Sequence, residues 1–195
     1  MVSRRAFLRG GSLAGLASLV PVVRAQVHSR VGAGQPFEAV CDTRHPQGDA
    51  FLGAVSARAF RSHGVGADPG VVLGVVADAT AAGRLLLGLT TPSALMIARQ
   101  VAAPHGYGLV FHGEHDTLAD GQLHHRLHGD AAWLTDVADL LSQTADAWPA
   151  ALGRSLARLP ADRECSAVHS VGCAARQAAS PSVRLASWVL APVRA

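Results

Sequence analysis

Four apolar runs of six to ten residues, each bounded by glycine, proline or charged positions, limit what this chain can fold into. They are FEAVCD (37–42), GVVLGVVADA (70–79), GRLLLGLT (83–90) and YGLVFHGEHD (107–116). Runs this short and this apolar suit strands buried on both faces of a sheet. Between them lie helical patterns. GDAFLGAVSARAFRSHG (48–64) puts Phe51, Val55, Ala59 and Phe60 on one helical face. TPSALMIARQVAAPHG (91–106) opens on a capping Thr91 with Pro92 in its first turn, and Gly106 lies past its end. Strand, helix, strand in succession predicts a parallel sheet with helices against it.

The second half adds AAWLTDVADLLSQTADAW (131–148), an amphipathic helix with Asp130 as cap and Trp133, Leu134, Val137, Leu140 and Leu141 on one face. Pro149 ends it and starts a further helix through Leu159. Residues 160–181 read as irregular, and VRLASWVL (183–190) as a strand at the sheet edge. The expectation is a single α/β domain over 37–195: a mostly parallel sheet flanked by helices, with a histidine-rich β-hairpin and a C-terminal edge strand. A composition 49% hydrophobic and 16% charged over 195 residues supports one real core.

Residues 1–25 differ from all this. SRRAFLRGG precedes the moderately apolar SLAGLASLVPVV and then VRA, a charged start, an apolar middle and a cut after Ala25. Arg4-Arg5 before Phe7-Leu8 fits a twin-arginine export signal, an address read by the export machinery. The apolar run from Gly10 to Val23 falls short of the ~20 residues that span a bilayer. Residues 26–36 read as a linker, and no second apolar run of membrane length follows, so the mature chain is expected to be periplasmic.

Four of the 17 basic residues, Arg4, Arg5, Arg9 and Arg24, lie in this leader, leaving 13 arginines against 14 acids. The basic balance therefore belongs to the leader, and a nucleic-acid partner loses its footing.

CDTRHPQGDAFLGA, GVVADAT, LLLGLT, FHGEH and the terminal SWVLAP together resemble a group of small bacterial proteins described by their twin-arginine signal. The resemblance implies export and a shared α/β domain. It implies nothing catalytic and carries no functional residue over.

Three cysteines remain for an oxidising compartment. Cys165 and Cys173, eight apart, are expected to bridge, leaving Cys41 free; a pairing through Cys41 is the alternative.

In an open parallel sheet, ligands sit beyond the carboxyl ends of the strands. On that reading the strands deliver Cys41, Asp42, Arg44 and His45, then Asp78, then Thr90, Thr91 and Ser93 at a helix start, then His112 with Glu114 and His115 beyond it. Taken singly, these are ordinary caps and turn residues. Cys41 with His112 as base would make a thiol hydrolase. G-x-S-x-G and G-x-G-x-x-G are absent, which removes the commonest serine-hydrolase and dinucleotide signals.

GLVFHGEHDTLADGQLHHRLHGD (108–130) holds five of the ten histidines. Asp120-Gly121 is a hairpin signal. Pairing 119 with 122 across it puts His115, His124 and His128 on one face, where three imidazoles could hold zinc or copper. Arg126 between them opposes a cation, and no cofactor is favoured. The expected function is binding of a small ligand at the strand ends, with a metal-assisted or thiol-type enzyme, or a subunit docked on an exported protein, as alternatives.

Overall fold

The computed structural model describes residues 35–118, 120, 122–159, 166–174 and 183–193. The expected signal segment, most of the linker and Cys165 lie outside these residues, as does the side chain of Cys173. The chain forms an α/β domain around a seven-stranded mixed sheet in the order β2-β1-β3-β7-β4-β5-β6. The strands are β1 (Phe37–Asp42), β2 (Arg61–Val65), β3 (Leu85–Thr90), β4 (Tyr107–Thr117), β5 (Gln122–Gly129), β6 (Ala167–Ala174) and β7 (Arg184–Pro192). The helices are α1 (Pro46–Val55), α2 (Pro69–Ala81), α3 (Pro92–Ala102), α4 (Ala131–Thr144) and α5 (Trp148–Leu156). No helix of the described residues is long and apolar enough to cross a membrane.

The sheet is mostly antiparallel, not mostly parallel: only β1 runs parallel to its neighbours, β2 and β3. The remaining pairings are all antiparallel. Four expectations change with it. Residues 70–79 are helical, because Asp68 accepts from Gly70 N and Pro69 occupies the first turn. Val72, Val76, Ala79 and Thr80 of α2 are buried at helical spacing. The helix expected over 48–64 stops at Val55, since Phe60 N donates to Phe37 O and Arg61–Val65 then pairs β1 as a polar edge strand. Part of the segment expected to be irregular forms β6. The terminal strand β7 is central, between β3 and β4, which explains why seven of its nine residues are buried.

Two cores result. Beneath α1, α4 and α5 lie Phe51, Phe111, Leu127, Leu134, Leu141 and Leu152. On the other face, α2 and α3 cover Val40, Leu86, Trp188 and Leu190. Gly88 admits the Trp188 indole: a Cβ there would meet its Cζ2 at 2.2 Å. The β4–β5 part of this second face carries half-buried or exposed polar side chains, as an antiparallel sheet with one wet face does.

A β-bulge in β4 decides what that wet face displays. Leu109 pairs Leu190 and Phe111 pairs Val189, so Val110 is an extra residue. Val110 and Phe111 both enter the first core, and the alternation beyond them is inverted. His112 and Glu114 therefore face the wet side, and His115 faces inward.

Candidate functional site

A groove of 590 Å³ lies between α3 and the neighbouring parts of β4 and β7. Leu95, Met96, Leu109, Ala186 and Leu190 make its apolar walls, and Arg99, Gln100, His112, Glu114 and Arg184 its polar part. Thr91 starts α3, accepting from Ala94 N, and Pro92 fixes its first turn. Leu95, Ala98 and Ala102 bury the inner stripe of the helix, which turns Met96, Arg99 and Gln100 outward along the groove. Met96 is 56% exposed at the lip.

At the groove's polar end three side chains of the hairpin converge. His112 and Glu114 are two apart on β4, and His128 pairs His112 across β5. The two imidazoles stack with centroids 5.4 Å apart and planes 22° from parallel. The ligating atoms of His112, Glu114 and His128 all lie within 4.8 Å of one another. Burial lowers the pKa of His112, and the charges of His128 and Arg99 add to this while Glu114 opposes it. Arg184 is held by Asp116 through bonds of 2.6 and 3.2 Å. Arg126 stands 3.8 Å from Glu114. Arg99 forms no ion pair among the described residues, so one guanidinium beside the groove is available to an anion.

The hairpin register is one residue away from that expected. Leu118 N donates to Gln122 O, so three residues separate the paired positions, and His115 pairs His125. His115, His124 and His128 therefore do not share a face: His115 is buried, His124 exposed and His128 beside His112.

His115 instead forms a buried polar cluster. Its Nε2 lies 2.7 Å from Ser187 Oγ and its Nδ1 2.6 Å from His125 Nδ1, with Trp148 packed on both rings. Nucleophile, base and orienting group stand in the sequence a hydrolase uses. Ser187 is 0% exposed, however, and a nucleophile that substrate cannot reach does no chemistry. The cluster ties β4, β5 and β7 together.

Of the eleven residues expected at or beyond the strand ends, only His112 and Glu114 line the groove. Cys41 is in the core on the opposite side of the sheet, and burial pushes its thiol up to about 12. That removes the thiolate a Cys41 hydrolase would need. Asp42 is buried and takes two side-chain bonds from Arg44; burial raises its pKa, and the Arg44 donors outweigh that to hold it below the ordinary carboxylate value. His45 stands at the N-terminus of α1, Thr91 and Ser93 bond each other at that of α3, and Asp78 is exposed on α2. Thr90 is buried and accepts from the Trp188 indole N–H at 3.0 Å. Arg99 and Arg184 were not legible as site residues, because one lies in a helix pattern and the other in an apparent edge strand.

No family model, curated protein or solved structure matches the chain.

Proposed function

We propose that this is an exported, periplasmic binding protein that takes a small molecule with an anionic end and an apolar body in the groove beneath α3. The observation that carries this reading is the groove's division. Leucine, methionine and alanine walls lead to an end where Arg99 forms no ion pair among the described residues and Arg184 and His112 stand nearby. Apolar walls with a few convergent polar groups are what small-molecule sites present. A carboxylate accepts two parallel bonds from a guanidinium, and an alkyl or aryl body removes the walls from water. The twin-arginine motif supplies the compartment in this reading.

Octanoate, titrated into the ¹⁵N-labelled, metal-free full chain, tests it. Binding at about millimolar affinity or tighter is expected, about −4 kcal/mol or more favourable. Shifts should concentrate on Leu95, Arg99, Leu109 and Leu190, and Arg99→Gln should weaken them. Absence of binding, or binding indifferent to Arg99→Gln, would overturn the proposal.

A further inference from the structure

We infer that His112, Glu114 and His128 form a binding site for one divalent first-row transition metal ion, zinc being the best match. The inference stands on the hairpin alone and does not rest on the anion reading. Two imidazoles and one carboxylate are a donor set found in catalytic zinc sites, which keep a further position open to water or ligand. The two imidazoles discriminate against calcium and magnesium, which take oxygen ligands.

Geometry supports the assignment. The three side chains project from one face of adjacent strands, two from β4 and one from the facing position on β5, so the backbone ladder fixes their origins. Ligands at ~2.0–2.1 Å around tetrahedral zinc stand ~3.3 Å from one another. The observed groups lie within 4.8 Å, so they need to draw in by up to about 1.5 Å, within the reach of half-buried side chains turning about χ1 and χ2. His112 and Glu114 line the groove, so an open coordination position would face it.

Three guanidinium groups oppose a cation here, and each has a reason not to prevent binding. Arg184 is neutralised by its fork on Asp116. Arg126 is 62% exposed and its 3.8 Å contact to Glu114 is long, so its stem can swing the charge into water. Arg99 lies on α3, across the groove, where it can pair an anion that also meets the metal.

The test is a zinc chloride titration of the EDTA-treated full chain against a chromophoric chelator. One equivalent is expected to bind. The His112→Ala/His128→Ala double variant should lose more than about a hundredfold in affinity, since even groups behind the ligands cost 10–100-fold. His124→Ala should stay within about twofold. Should the double variant fail to fold, ¹⁵N-imidazole spectra of the unmodified chain decide. Zinc should move the ring nitrogens of His112 and His128 and leave His125 in place. No stoichiometric zinc, zinc retained by the double variant, or shifts centred on His124 would overturn the site. Octanoate binding to the metal-free chain is read separately, so failure of the groove reading and failure of the metal site are distinguishable.

Discussion

His115 Nδ1 and His125 Nδ1 face each other at 2.6 Å across the β4–β5 ladder, in a space from which water is excluded. One ring must donate and the other accept, so the pair holds together only while at least one is neutral.

Acid should therefore destabilise the fold through this pair. Burial, then the charge of His124, brings His125 down to about 4, and burial with the charges of His125 and His112 takes His115 well below its ordinary value. Both folded values lie below the unfolded ~6.5, so the unfolded chain takes up protons that the folded chain refuses. Their stability contribution is complete above that value and is lost as pH falls through it, at up to about 1.4 kcal/mol per pH unit per histidine. For His125 the loss levels off near its folded value of about 4. Urea midpoints between pH 7.5 and 4.5 check this; His125→Gln should flatten the dependence by about one histidine's share, and an unchanged slope would refute the assignment.

Two glycines should respond oppositely to alanine. At Gly88 a Cβ would sit 2.2 Å from the buried Trp188 ring, which has no room to retreat. Gly88→Ala should cost several kcal/mol, above the ~1–3 of ordinary overpacking. At Gly74, exposed in α2, a Cβ meets nothing within 4 Å. Gly74→Ala should stabilise by about 0.5–1 kcal/mol. Thermal melts of the two variants give both signs.

Cys41 should resist alkylation in the folded chain and react once denaturant is added, because its thiol is fully buried and weakly acidic. Non-reducing peptide maps of the oxidised protein should then show Cys165 joined to Cys173. A peptide pair containing Cys41 would reject that connectivity.

Zinc and octanoate should bind cooperatively. Both proposals place their ligands at one end of the groove, where a metal charge and Arg99 meet the same carboxylate. Zinc should tighten octanoate roughly 5–150-fold, and octanoate should tighten zinc by the same factor. Calorimetric titrations in either order measure the coupling; independence of the two would mean that the carboxylate points away from the hairpin.

Export should fail when Arg4 and Arg5 are both replaced by lysine, leaving precursor in the cytoplasm. Normal export of that variant, followed by fractionation, would discard the twin-arginine reading.

The sequence carried the strands β1, β3 and β4 and the helices α3 and α4 because each has both period and punctuation. Helix α2 had the punctuation, Asp68-Pro69-Gly70, but its valines and leucine run almost without polar interruption, and Val71 and Leu73 stay exposed on its outer side. With no polar stripe, its periodicity was hidden. Strand β2 reads RSHGV, with little apolar signal, because an edge strand has little to bury. The site was half legible. His112 stood out as a histidine at a strand, and Glu114 followed by the two-residue period. Its partner His128 depended on the register, and a three-residue hairpin connection differs from a two-residue one by a single step that exchanges the faces.

The extra residue at Val110 has a further meaning. A strand offers only two directions, so which one a side chain takes is a question of odd or even. Counting from Tyr107 without the bulge, His112 and Glu114 would point into the apolar core, and Phe111 and His115 out to water. The bulge, by giving Val110 and Phe111 the same face, reverses this while changing no chemistry in the chain beyond it. The groove's chemistry is thus written in parity as well as in residue type. Straightening the bulge would spare every polar group named above and still erase the site, whereas deleting Val110 would leave Leu109 and Phe111 in ordinary alternation and keep His112 and Glu114 on the groove face.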